Sequence, residues 1–291
     1  MPLEDELCDI LKKSRTGQGL SVGDIARLTG LPGGDVTALE RGDQPRDRAE
    51  IRALAKALGL RPEPLAQIAI EQWEPVAQRP PAWVETIHGS INGYGVQGYV
   101  VHDAGEAVLV DTAYNAPAMI EFLSAHRLNL VGICLTHGHA DHVLGLPGFV
   151  ASRKFAKGAQ EKPLTIVFPD GNSGVLAVRD LMAQMWSASE FPVTWVPLRA
   201  GDEWRLARTR VLHALTTAHG GAEPTLGYAV FEERRRLKPE FAGRPETEIR
   251  AIVGRDGREA VMEAYRQLRF AHTGDAMPID PALVMGADLL V

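Results

Sequence analysis

The sequence predicts an α/β domain preceded by a small all-α domain, on three observations. Apolar residues recur at helical spacing through the first 72 residues, and from Val84 onward short branched runs alternate with amphipathic stretches. Between the two patterns, Gln72 to Trp83 holds Pro75, Pro80, Pro81 and two tryptophans. The expected organisation is a helical domain over residues 1–72, a Pro/Trp linker over 73–84 and an α/β domain over 85–291.

Composition bounds the function. A chain of 291 residues with 45% hydrophobic and 23% charged residues is an ordinary soluble globular protein with room for one large domain and a small one. A net charge of -6 gives no general attraction to nucleic acid, so any such binding has to be local. Cys8 and Cys134 lie far apart, which argues against a disulfide framework and fits a reducing compartment. The first residues are acidic where a signal peptide is basic, and no apolar run approaches membrane-spanning length. A cytoplasmic protein without membrane contact is expected.

In the first domain, Ser21 with Asp24 has the form of a capping box, and Asp47 with Glu50 opens another helix. Ile25, Ala26 and Leu28 form one apolar face, Gly30-Leu31-Pro32-Gly33 is a turn, and Val36 and Leu39 begin the next face. Ile51, Leu54, Ala55 and Leu58 continue helical spacing up to Gly59. The string Ser21 to Pro32, with Leu39-Glu40-Arg41-Gly42 and Ala55-Lys56-Ala57-Leu58-Gly59-Leu60, resembles the phage-repressor (Cro/XRE) helix-turn-helix domain over residues 5–70. That resemblance implies DNA binding through residues 20–48, with Thr37, Arg41, Arg46 and Arg48 as candidate contacts. A recognition helix, however, reads bases with side chains at its N-terminal end. Here Gly33 and Gly34 reach nothing, and Asp35 repels phosphate. Weak DNA binding and a helical module for dimerisation or packing both stay open; a homodimer is expected.

From Val84 the chain reads as strands at Val84–Ile87, Gly98–His102 and Ala107–Asp111, then a helix over Ala116–His126. Leu130 to Leu135 is a short apolar run of buried-strand type. After it come a helix interrupted by Gly145-Leu146-Pro147-Gly148, a strand near Leu164–Phe168 and a helix over Val175–Ala188. Strands follow at Val193–Pro197, Arg205–Leu215 and Pro224–Tyr228, and a helical insert runs through Glu248–Ile252.

Four metal-ligand side chains fall directly after the 130–135 strand, in Thr136-His137-Gly138-His139-Ala140-Asp141-His142. Open α/β sheets place their sites at such strand ends. His137 and His139 can turn toward one ion while Asp141 and His142 face a second; imidazole and carboxylate suit zinc, with iron or manganese as alternatives. His88, His102, His126 and His213 stand alone and read as structural or exposed.

H-x-H-x-D-H resembles the signature of the metallo-β-lactamase superfamily, and the similarity runs from about residue 85 to the end. It implies an αββα sandwich and a binuclear hydrolytic site. In that pattern His219, in Thr216-Thr-Ala-His219-Gly-Gly, is the third ligand of the first ion, and Asp275, in Phe270-Ala-His-Thr-Gly-Asp275, bridges the pair. Asp141 would orient the attacking water and accept its proton; Asp111 and His272 are candidates for supporting roles behind the ligands. The order of segments after His219 looks like ribonuclease Z, which implies a phosphodiester in a nucleotide or other small substrate. A glyoxalase II-like thioesterase or a lactonase is the alternative, and a DNA-binding regulator with a non-catalytic metal-sensing domain is a reading of another class. Two departures from the ribonuclease Z pattern are expected to matter. No Gly/Pro- and Lys-rich arm for gripping tRNA is legible between residues 150 and 210. The family's proton-transfer segment and last metal histidine would fall beyond Val291, so the domain is expected to lack its C-terminal end, hold its second ion weakly and turn over poorly.

Overall fold

The computed structural model describes residues 6–70, 80–91, 93–155, 163–185, 192–219, 222–277 and 279–291. The chain divides into two compact units, Met1–Arg79 and Pro80–Val291. Trp73 of the expected linker lies outside the described residues.

The first unit contains α1 (Leu7–Gly17), α2 (Val22–Thr29), α3 (Gly33–Leu39), α4 (Arg48–Ala57) and α5 (Pro62–Ala69). Local chemistry sets these boundaries. Ser21 and Asp24 cap α2 reciprocally, Gly30 ends it in the left-handed conformation, and Asp47 accepts from the Glu50 amide to start α4. One apolar stripe per helix, including Leu11, Ile25, Val36, Leu39, Ile51, Leu54, Leu58 and Leu65, closes a core with almost no exposure.

The second unit holds two sheets. Sheet one has the order β1 (Val84–Ile91), β2 (Tyr94–Asp103), β3 (Glu106–Val110), β4 (Asn129–Cys134), β5 (Leu164–Pro169), β6 (Val193–Leu198). Its first three strands pair antiparallel, and β3 to β6 run parallel. Parallel neighbours need crossovers, supplied by α6 (Ala116–Ala125), then α7 (Ala140–Val143) with α8 (Gly145–Phe155), then α9 (Ser173–Met185). These pack on one face of the sheet, where Leu109, Met119, Ile133, Leu146, Phe149 and Ile166 are fully buried. The side-chain alternation of β3 sends Leu109 to the helices and Val108 and Val110 to the second sheet.

Sheet two has the order β11 (Leu289–Leu290), β10 (Met262–His272), β9 (Leu226–Leu237), β8 (Arg210–Thr216), β7 (Glu203–Ala207). Between the sheets lie Tyr99, Val167, Leu212, Tyr228 and Phe270, with Cys134 as a small core residue. Trp83 packs against this layer with the Arg269 guanidinium over its ring. On the outer face of sheet two, Leu215, Ala229 and Leu268 are covered by Val284, Ile279 and Ala287 from the short segment before β11. A last helix, α10 (Glu246–Asp256), lies between β9 and β10.

Three expected elements are redrawn. Arg205–Leu215 is a hairpin, β7 and β8, rather than one strand; its turn at Arg208-Thr209 has neither Gly nor Pro to mark it. The break in the helix after the metal motif falls at Leu144, because Pro147 sits in the first turn of α8, where a missing amide costs nothing. Finally, β9 runs on to Leu237, well past Tyr228, because it pairs with β10 along its whole length.

Candidate metal centre

The crossovers bring the C-terminal ends of β3, β4, β5, β8 and β10 to one edge of the sandwich, and the chemistry collects there. Asp111 follows β3, residues 136–142 follow β4, His219 follows β8 and Asp275 follows β10. Ligand atoms of His137, His139 and His219 lie within 4.8 Å of one another, as do those of His137, His142 and Asp275. The His142 Nε2 is 3.4 Å from Asp141 Oδ2 and 3.3 Å from Asp275 Oδ2. Ring centroids of His137 and His142 are 4.0 Å apart, so the two sets adjoin.

Asp111 organises the ligands from behind. Its Oδ1 accepts from the Thr136 amide at 2.8 Å, and its Oδ2 accepts from the Thr136 hydroxyl and from His142 Nδ1, each at 2.8 Å. Because the single Thr136 hydroxyl proton goes to Asp111, Thr136 Oγ1 accepts from His137 Nδ1 at 2.9 Å. Both imidazoles thereby turn Nε2 into the centre, the orientation a metal-binding histidine needs. His137 Nε2 is buried and has no hydrogen-bond partner. That orphaned acceptor, with Asp141 and Asp275 on the Nε2 side of His142, fits a divalent cation.

The backbone behind this is strained. Asp111, Ala113 and Tyr114 all have positive φ, at 56°, 45° and 48°, a region disfavoured for residues other than glycine. Glycines make room for the segment: a Cβ on Gly89 would lie 1.6 Å from the Ala113 carbonyl oxygen, and one on Gly145 2.7 Å from Thr112 Oγ1. Thr112 in turn donates its amide and hydroxyl to the His142 carbonyl. From sheet two, the Tyr228 hydroxyl donates to the Leu135 carbonyl and the Leu226 amide to that of Thr136.

Electrostatics in the metal-free chain follow from this crowding. Burial holds His137 down at about 4, with cationic His142 adding to the effect, so His137 is neutral and ready to ligate. Burial also opposes charge on His142, but Asp111, Asp141 and Asp275 outweigh it and push that group up to about 12. Burial likewise opposes ionisation of Asp275, yet its contact with His142 holds it well below the carboxylate range. Cation uptake must therefore expel the second proton of His142, and apparent affinity should rise about tenfold per pH unit for that one proton. Calorimetric titration in buffers of different ionisation enthalpy will show the release; an affinity flat in pH would contradict it.

Other sequence candidates fall elsewhere. His272 is buried, accepts from the Gly274 amide through Nδ1 and packs its ring 5.1 Å from Tyr99, so it supports the loop that carries Asp275. In the first unit, Arg46 is held by Glu50 and Asp35, Arg48 lies 3.9 Å from Glu63, and the Thr37 hydroxyl donates back to the Gly33 carbonyl. Arg41 alone of the four is exposed with no partner among the described residues.

Residues 91–231 match the metallo-beta-lactamase superfamily and residues 6–68 match a helix-turn-helix domain. The chain carries a domain of the metallo-β-lactamase superfamily behind a helix-turn-helix domain. Among relatives, it is 31% identical to the nuclear ribonuclease Z of Triticum aestivum over 124 residues, 40% of this chain and 64% of that one. It is 25% identical to the ribonuclease Z of Metallosphaera sedula over 228 residues, 72% and 73% of the two chains. The ribonuclease Z of Methanosarcina mazei is 29% identical, with 47% of this chain and 42% of that one aligned. The chain thus spans less than two thirds of the length of several of these relatives. The crystal structure of the short form of human tRNase Z superposes with a TM-score of 0.44 at 19% identity, covering 71% and 75% of the chains. No helix among the described residues is long and apolar enough to cross a membrane.

Proposed function

We propose that this chain is a metal-dependent hydrolase that cleaves phosphodiesters, with two zinc ions as its resident metals and RNA as the class of substrate. The observation that carries the reading is the adjoining pair of donor sets: three histidines on one side, Asp141, His142 and Asp275 on the other, meeting at His137. Ions held there would supply Lewis acidity toward a phosphoryl oxygen and make water acidic enough to attack near neutral pH. The protein's own contribution is then positional. His137, His139 and His219 would hold one ion, and His142 and Asp275, with Asp141 alongside, would hold the other, His137 being common to both sets. Asp141, held low mainly by its hydrogen bond to His142, is ionised and can take the proton of the attacking water at Oδ2. Ribonuclease Z relatives support the phosphodiester as substrate. A cytoplasmic homodimer belongs to the same reading.

One observation favours an ester, thioester or lactone instead. The basic side chains along β9 and β10 are neutralised in place: Arg234 by Glu232, Arg235 by Glu259, Arg236 by Glu263, Arg266 by Glu203. A surface so paired offers little to a polyanion. Metal stoichiometry measured beside turnover of a bis-aryl phosphodiester, a thioester and a lactone decides between them. A preference for the thioester or lactone would end the phosphodiesterase reading, and specific duplex binding without any turnover would favour a regulator.

For the helix-turn-helix domain the expected result is weak, sequence-indifferent duplex binding that falls steeply with salt. Residues 20–48 carry four basic and five acidic side chains, a net charge of -1, and three of the four arginines are already paired with carboxylates. A selection experiment that returns a defined palindrome, bound tightly at physiological salt, would show otherwise.

A further inference from the structure

The first turn of α9 touches both loops that supply the three-histidine set. On one side it meets the motif loop backbone to backbone at Gly138, the residue between His137 and His139. A Cβ on Gly138 would lie 2.3 Å from Asn172 Oδ1 and 2.8 Å from the Gly174 Cα; one on Gly174 would lie 2.5 Å from the Gly138 carbonyl oxygen. On the other side the same turn is fastened to the segment that follows His219. The Ser173 amide donates to Glu223 Oε2 at 2.8 Å and its hydroxyl donates to Oε1 at 2.9 Å. Asn172, whose Oδ1 caps α9 by accepting from the Val175 amide, donates its Nδ2 to the Pro224 carbonyl at 2.8 Å.

We propose that Glu223 is a positioning residue for the metal centre: by clasping Ser173 it registers His219 against His137 and His139, using the first turn of α9 as a shared template. The inference rests on the proposed metal-centre reading and adds to it a group that does not itself ligate. The chemistry of the segment calls for such a device. His219 follows β8 and its loop re-enters the sheet at β9, whereas the other two histidines follow β4 in the opposite sheet. No sheet hydrogen bond joins these two strands, so their relative placement has to come from the loops. The described part of the His219 loop is held at three further points: Thr217 and Thr225 share a hydroxyl bond at 3.0 Å, the Met277 amide donates to the Ala218 carbonyl, and Asn172 grips Pro224. The ties at residues 223 and 224 lead back to the template that also contacts Gly138, and they act nearer His219 than the bond of the Leu226 amide to the Thr136 carbonyl, which joins the start of β9 to the motif loop. Asp275 and His142 are tied through Gly274, Thr136 and Asp111 and have no part in the clasp.

Glu223 and Ser173 are both exposed. A hydrogen bond in water contributes little to global stability, so loss of the clasp should change geometry without unfolding the domain. Partners that orient metal ligands typically matter by about 10–100-fold in metal affinity.

The test is zinc titration of the metal-free full chain against a chromophoric chelator, with thermal unfolding of each metal-free variant alongside. Glu223→Ala and Ser173→Ala are each expected to weaken one of the two stepwise affinities about tenfold, leave the other unchanged and barely move Tm. Glu223→Gln should be intermediate, since its amide oxygen can accept from the Ser173 amide while its Nε2 donates to the hydroxyl. The double variant should be no worse than either single one, and Glu223→Ala should add nothing in a His139→Ala background. Unchanged affinities in both single variants would overturn the proposal, as would equal weakening at both sites with a fall in Tm. A wild-type chain that takes up no zinc would overturn the metal-centre reading itself, and with it any metal for the clasp to position.

Discussion

Replacing His139 by alanine is expected to strip most bound metal from the three-histidine set, with an affinity loss above about 100-fold. A tetrahedral metal site with an open position needs its three protein ligands, and deleting even an outer partner costs about 10–100-fold. His139 contributes one of three ligand atoms within 4.8 Å of each other, and its ring lies 4.5 Å from that of His137 and 4.9 Å from that of His219. It is also exposed, so its removal leaves no buried cavity and the fold should persist. Elemental analysis after dialysis checks the outcome, with His88→Ala as control because His88 is exposed and far from the ligands in sequence. Metal content unchanged in His139→Ala would remove it from the site.

The second large effect is expected from Asp111→Asn. Asparagine tolerates the positive φ of 56° at this position, so the substitution tests the carboxylate and not the backbone. Asp111 accepts three hydrogen bonds, and an amide can accept only at its oxygen; its NH₂ would face a donor. An unsatisfied buried donor costs about 1–3 kcal/mol, and a buried cation that loses its partner about 3–5 kcal/mol. A loss of about 3 kcal/mol in the metal-free protein is therefore expected, with a 10–100-fold loss of affinity at the Asp141–His142–Asp275 set. The pH window follows from the two partners. His142 is raised from 6.5 to about 12, so its contribution is fully present below pH 6.5 and is lost as pH rises through 12. Asp111 is lowered from 3.8 by His142 and its hydrogen bonds, against burial, so its contribution is present above pH 3.8 and is lost on acidification. The difference between wild type and variant should thus peak between about pH 4 and 6.5 and shrink in strong alkali. Urea denaturation across that range measures it; a difference that grows toward alkaline pH would show that the buried pair is not its source.

Much of this protein was legible locally. The capping box at Ser21 and Asp24, the left-handed Gly30 and the apolar stripes from Ile25 to Leu58 depend on neighbours within four residues, and the chain order states them, except that Leu28, expected on the face of Ile25, is exposed. The same holds for His137, His139, Asp141 and His142, which one strand and the start of one helix bring to a single edge. His219 and Asp275 were found by their motifs, since nothing in their spacing from His137 says that β8 and β10 end beside β4.

What the tertiary structure decided involves partners far apart in sequence. Arg46 has a local partner in Glu50 four residues on, but only the fold brings Asp35, eleven residues back, against the same guanidinium. The hairpin of β7 and β8 has no turn residue to announce it and exists because β8 also pairs with β9. Asp111 reads as a strand end, and its command of Thr136 and His142 required three positive-φ residues and a glycine in each of two other elements to let the backbone through. Glu223 reads as one more surface acid until α9 is seen beneath it. Hydrogen bonds that span 25 to 50 residues are paid for by burial of the whole core, which no local pattern encodes.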